Sequence, residues 1–229
     1  MSIRPAVILL LASLLGLPCL AKDAKVGQTS VTLTAPSGQC ELDPGQPSDA
    51  RMLQITESTL AGVGNRLLGF YADCKQLNDW RTGKRALLED FAQYQTAIAA
   101  MDAPAPAAPA EAIKQLCSQQ REASEKVVTG IATDMKARIE EAVRGVQLNQ
   151  VRSLGVVAED ANACYAALVQ RFKAETGKDV TIMALFATTF VQGKLVLYYL
   201  YSPYRSAQTM TALLAKQKLN VAALLAANP

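Results

Sequence analysis

Trp80-Arg81-Thr82-Gly83-Lys84-Arg85 sets the only tryptophan of the chain beside three cations. An indole face next to clustered positive charge could hold an anionic or carbohydrate-like group by stacking and ion pairing. The same residues also suit a packed Trp on a connection between strands, with the bases solvated. A second group, Tyr198, Tyr199, Tyr201, Tyr204 and Arg205, falls within one short stretch, and tyrosines combine apolar bodies with polar tips suited to interfaces. Strand alternation sends Tyr199 and Tyr201 to one face and Tyr198 to the other, where sheet packing would use them equally well. The candidate binding residues are therefore Trp80, Arg81, Lys84, Tyr199, Tyr201 and Arg205.

Catalytic signatures are scarce. The chain has no histidine, which removes the commonest general base, the commonest metal ligand and every Ser-His or Cys-His nucleophile. No Gly-x-Ser-x-Gly elbow occurs. Thr176-Gly177-Lys178-Asp179 lacks both the earlier glycine and the final Ser or Thr of a phosphate loop. A carboxylate pair assembled in space from Asp73, Glu89, Asp90, Glu159 or Asp160 would suit a hydrolase of the glycosidase kind; Glu140 and Glu141 belong to a segment already supplied with bases. No Asp-x-Asp calcium loop is present. No cofactor or metal is expected, and catalytic residues cannot be named.

Met1 to Ala21 has the three parts of a secretory signal peptide: Arg4, an apolar run from Ala6 to Leu17, and Pro18-Cys19-Leu20-Ala21, with cleavage expected after Ala21. The run is short for a membrane span, and Pro18 beside Cys19 fits a lipobox poorly. Removing this segment leaves Cys40, Cys74, Cys117 and Cys164, widely spaced and even in number. In an oxidising compartment these predict two structural disulfides, of which three pairings are open. A periplasmic or secreted location follows, with no transmembrane span after processing. With 23 basic against 20 acidic residues, net charge is only +3, and without a basic stripe no nucleic-acid partner is expected.

The chain as a whole is 50% hydrophobic and 19% charged, a balance that predicts one folded domain over 22–229. Val31-Thr-Leu-Thr reads as a strand and Gly38 to Pro47 as a loop. Ser48 is a candidate cap for a helix over 49–61, with Met52, Ile55 and Thr59 inward. Asn65 to Cys74 alternates as a strand with Leu68, Phe70, Ala72 and Cys74 on one side, and a short helix over 76–81 follows. Residues 86–98 fit helix or strand, with strand favoured in the second half. The Pro/Ala stretch 102–110 is a spacer before a long amphipathic helix from Ala112 to Val146, with Cys117 and Ile113 on its apolar face. Strands follow around 154–158 and 164–169. Val180 to Tyr201 is almost continuously apolar but interrupted by Gln192-Gly193-Lys194, the pattern of a hairpin of two central strands covered on both faces. Ser206 caps a last helix carrying Met210, Leu213, Leu214, Val221, Leu224 and Leu225. The fold class is α+β, a mainly antiparallel sheet flanked by helices.

Phe190-Val-Gln-Gly-Lys-Leu-Val-Leu-Tyr-Tyr and the helix after Ser206 give the last third of the chain an element order that resembles PsbP-like exported domains. The resemblance implies an antiparallel sheet flanked by helices and assigns no activity. The expected function is that of an exported, non-catalytic binding or interaction domain, its partner a protein or small molecule of the envelope; the alternative is a carboxylate-dependent exported hydrolase.

Overall fold

The computed structural model describes residues 21–122, 146–174 and 179–229. The expected signal peptide lies outside them but for Ala21. A hairpin of β1 (Lys22–Val26) and β2 (Thr29–Leu33) precedes β3 (Gln39–Glu41), α1 (Pro47–Gly62), β4 (Asn65–Asp73), α2 (Cys74–Arg81), β5 (Phe91–Ala97) and a 3-10 turn, Ile98–Ala100. Helix α3 covers 109–122. Then come β6 (Val146–Glu159), β7 (Ala163–Ala174), β8 (Asp179–Val191), β9 (Lys194–Pro203) and α4 (Ala207–Ala226). Strands β3 to β9 form one antiparallel sheet in the order β3-β4-β5-β9-β8-β7-β6, so the α+β class holds.

The sheet is covered on both faces. On the first, α4 and the β1–β2 hairpin bury Val31, Leu33, Tyr94, Leu185, Tyr198 and Leu224 in the main core. Polar side chains fasten this layer: Asn228 pairs with both backbone groups of Thr32 at 2.8 Å, and Asn220 donates to the Tyr198 hydroxyl at 2.9 Å. On the second face, Leu77 of α2 packs with Phe70 and Ala72, while Ile113 and Cys117 of α3 pack with Cys164, Phe190 and Val156. The hairpin expected at Gln192-Gly193 is present, both residues having positive φ (50° and 74°), which suits the twist of the flanking strands. A Cβ at Gly193 would fall 2.3 Å from the Ala105 Cβ, so the Pro/Ala spacer lies directly on this turn.

Two disulfides form, Cys40–Cys74 and Cys117–Cys164. The first ties β3 to the start of α2; the second ties α3 to β7. Ser206 is the N-cap of α4, with Thr209 Oγ1 accepting from the Ser206 N–H at 3.3 Å.

Several expectations are corrected. The loop expected over 38–47 contains β3, too short to show a period and identified only by its pairing with Tyr71–Asp73. Helix α1 begins at Pro47 after Gln46, not after Ser48, because proline's fixed φ and missing N–H fit the first helical position. Leu68 does not share a side with Phe70 and Ala72. A bulge between Leu67 and Gly69 turns Leu68 into the first-face core and leaves Phe70 and Ala72 on the second; a Cβ at Gly69 would lie 2.9 Å from Leu33, so the hairpin requires glycine there. Cys74 opens α2 rather than ending a strand. Residues 91–97 are strand, as favoured. Of the long helix, 109–122 is helical and 123–145 lies outside the described residues, but Val146 opens β6.

Candidate functional site

The second face carries a line of rings set by strand register. Gln93 faces Tyr199 across β5–β9, and Phe91 faces Tyr201; Tyr199 in turn faces Phe186 on β8. The rings run Phe70 to Phe91 (5.3 Å between centroids), Phe91 to Tyr201 (4.1 Å, 13° between planes), Tyr201 to Tyr199 (6.1 Å) and Tyr199 to Phe186 (5.0 Å). Each offset pair adds about 0.5–1.5 kcal/mol to what burial alone contributes. Tyr198 points to the opposite face and stacks on Tyr94 at 4.4 Å, as alternation requires. Burial raises the Tyr199 phenol to about 12, and burial together with neighbouring Tyr199 pushes Tyr201 upward too. Both are neutral at physiological pH.

Between this face and α1 is a partly open cavity of about 160 Å³. Met52, Ile55 and Leu60 of α1 form its roof, Phe91, Tyr201, Ile182 and Phe172 its floor, and Leu87 and Leu88 line it from the connection before β5. Thr56, Thr59, Gln93 and Gln170 are its polar members, and among the described residues no Asp, Glu, Lys or Arg lines it. Helix α1 buries only Asp49 and Thr56 fully. Met52 and Leu53 of α1 pack against the cluster around Phe70, and Met52, Ile55 and Leu60 also face the cavity.

The candidates from sequence divide. Tyr201 lines the cavity, and Tyr199 continues the ring line beyond it. Trp80 is half-buried against the cluster of Leu42, Phe70, Ala72 and Leu77, to which Phe91 also packs, so it is joined to Tyr201 only through intervening rings. Arg81 grips Asp49: its Nε donates to Oδ1 at 3.0 Å and its Nη2 to Oδ2. Asp49 also accepts from the Asp43 N–H at 2.9 Å. Burial alone would raise the Asp49 carboxyl, but these hydrogen bonds and the Arg81 charge hold it below the usual carboxylate range. Lys84 is exposed in the turn after α2, and Arg205 is exposed between β9 and α4. Gln93, Gln170 and the α1 residues were not foreseen as a site. Their only trace in sequence is the placing of amides between aromatic and apolar residues in Phe91-Ala-Gln-Tyr-Gln.

The acidic candidates hold the fold together. Asp73 caps α2, accepting from the N–H groups of Lys75 and Gln76; Glu89 pairs with Arg85 and Glu159 with Arg121. Asp160 accepts from the N–H groups of Asn162 and Ala163. Asp90 accepts from Gln39 and Ser202 at 3.3 and 3.4 Å, and its carboxyl is raised by burial and, less, by Asp73, against the charge of Lys216. A raised folded-state value means that ionisation works against folding: stability falls as pH climbs from the ordinary carboxylate range through the raised one. Asp90→Asn should therefore melt higher relative to the parent at pH 7 than at pH 3, and a pH-independent difference in Tm would contradict this.

Among the described residues, no group of three or more His, Cys, Asp or Glu forms a metal-binding set, and no helix is long and apolar enough to cross a membrane. Comparisons with protein-family models, curated proteins and solved structures returned no match.

Proposed function

We propose that the protein is an exported, non-catalytic binding domain that takes a small apolar ligand into the cavity between α1 and the ring line. The observation that carries this is the cavity itself. Protein interiors are close-packed, yet here α1, which meets the sheet at Met52 and Leu53, leaves a space between an apolar roof and an aromatic floor, with no charged residue among the described residues that line it. Each methylene of a ligand buried there contributes about 0.8 kcal/mol, and the rings supply flat contact surfaces. Two disulfides are compatible with a non-reducing compartment, and the leader-like first residues support export. The hairpin leading into α4 supports the PsbP-like reading, which concerns fold and assigns no ligand.

The test uses N-phenyl-1-naphthylamine, a neutral dye that fluoresces in apolar surroundings. The parent should bind it saturably, and Ile55→Trp, which fills the cavity from the roof, should weaken binding by about tenfold or more, the loss of roughly 1.4 kcal/mol. Lys84→Ala and Arg205→Ala, both outside the cavity, should leave it unchanged. Absence of saturable binding, or equal binding by Ile55→Trp, would overturn the proposal.

A further inference from the structure

The cavity floor is a diagonal across the sheet, running from Phe70 and Gln93 to Gln170 and Phe172. Register places Tyr201 one strand over from Phe91, Ala184 opposite Tyr201, and Gln170 opposite Ile182. From Gln93 the path therefore crosses Tyr201 and Ile182 to Gln170, stepping over three strand intervals, roughly 14 Å at the backbone. The same register carries Gln93 through Tyr199 and Phe186 to Ala166, four residues short of Gln170, so the ends are offset along the strands as well. Side chains from both ends line one cavity, and that cavity is a slot, longer than a single ring.

Both amides are more than nine-tenths buried, Gln93 at 7% and Gln170 at 6% exposure. Buried polar groups ordinarily find hydrogen-bond partners. Gln170 has no side-chain partner among the described residues although it lines the cavity. Gln93 ends a chain of amides: Asn65 Nδ2 donates to Gln95 Oε1 at 3.2 Å, and Gln95 Nε2 donates to Gln93 Oε1 at 2.8 Å. The Gln93 oxygen is engaged by Gln95, and its NH2 is the donor that Gln93 offers the cavity. A donor in an apolar slot favours a hydrogen-bond acceptor. Among the described residues the slot has no cation to neutralise a carboxylate and no anion to neutralise an amine, and a bare charge moved into apolar surroundings is costly.

We infer that, given the binding function proposed above, the ligand is elongated, apolar and uncharged and carries a carbonyl-type acceptor, that is, an acyl chain held as an ester or amide and not as a free acid. The Gln93 amide is the contact of that acceptor, and the rings and α1 hold the chain along the slot toward Gln170.

Displacement of N-phenyl-1-naphthylamine by methyl octanoate and by octanoate at pH 8 tests this on the full processed protein. Methyl octanoate should compete at least about tenfold better than octanoate, reflecting the cost of burying the carboxylate. In Gln93→Leu the affinity of the ester relative to that of the dye should fall by about fivefold, the loss of one neutral hydrogen bond, and far-UV circular dichroism with a thermal melt shows that the variant is folded. Equal competition by ester and acid, or an ester-to-dye ratio untouched in a folded Gln93→Leu while the dye binds the parent, overturns the inference and leaves the binding function standing. Failure of the dye to bind the parent overturns both.

Discussion

Arg81→Ala is expected to destabilise the protein by about 2–3 kcal/mol, between the cost of cutting an exposed pair and that of removing one partner from a fully buried one. The asymmetry of the pair makes this the more damaging side to cut. Asp49 has no exposed side-chain surface, whereas the Arg81 side chain is 30% exposed. Without Arg81, a charge with no access to water loses its main partner; without Asp49, the guanidinium can turn outward. Arg81→Lys should recover only part of the loss, because a single ammonium cannot reproduce the fork from Nε and Nη2 onto the two carboxylate oxygens. The pH dependence has a definite sign. Asp49 is held below the ordinary carboxylate range, so the contribution of the pair is complete above that range and fades as pH falls through the lowered value. Urea unfolding of parent and variant at pH 7 and pH 3 should show the gap narrowing in acid. A loss below about 1 kcal/mol at pH 7, the range of an exposed pair, would refute the assignment of Arg81 as a structural residue.

Cutting the Cys117–Cys164 bridge is the second large effect. The bridge closes a loop over a sequence separation of 47, for which loop-closure entropy gives about 4 kcal/mol at 25 °C. The double variant Cys117→Ala/Cys164→Ala should unfold at correspondingly lower denaturant. Cys40–Cys74, with a separation of 34, is worth nearly as much by the same formula, but it fastens a three-residue strand already paired to β4. The Cys117 bridge fastens a helix, and Ile113 is the one other buried α3 residue in its cluster. Hydrogen exchange over 109–122 should therefore accelerate in the double variant, and unchanged protection there would show that the helix is held by other means.

What could be read from sequence followed from local patterns. The Gln192-Gly193 break inside an apolar run identified the central hairpin, even cysteines identified two bridges, and the spacing of Leu213, Val221 and Leu224 identified the C-terminal helix. What failed to show was whatever one residue or a distant partner decides. The Leu67/Gly69 bulge reverses the facing of Leu68 with no change in composition, and β3 exists because Cys40 finds Ala72 across the sheet. The cavity was hidden for the same reason: its walls come from α1, β5, β7, β8 and β9, and only pairing order brings Gln93 and Gln170 to one slot. Trp80 and Arg81 stand out by type, an aromatic beside a cation; the structure packs Trp80 from α2 against the cluster around Phe70 and sets Arg81 on Asp49.

The position of β9 has a consequence for how the protein comes into being. It is the last strand in the chain and the fourth of seven in the sheet, bonded to β5 on one side and β8 on the other. Before Lys194 to Pro203 is in place, β3-β4-β5 and β6-β7-β8 are separate antiparallel meanders, each with an unpaired edge, and the rings of β9 that join Phe91 to Phe186 are missing. A chain delivered N-terminus first thus cannot complete its sheet until nearly its whole length is free, because the decisive pairings are non-local and late. Completion of the sheet therefore waits on this keystone strand, in whatever way the chain is delivered.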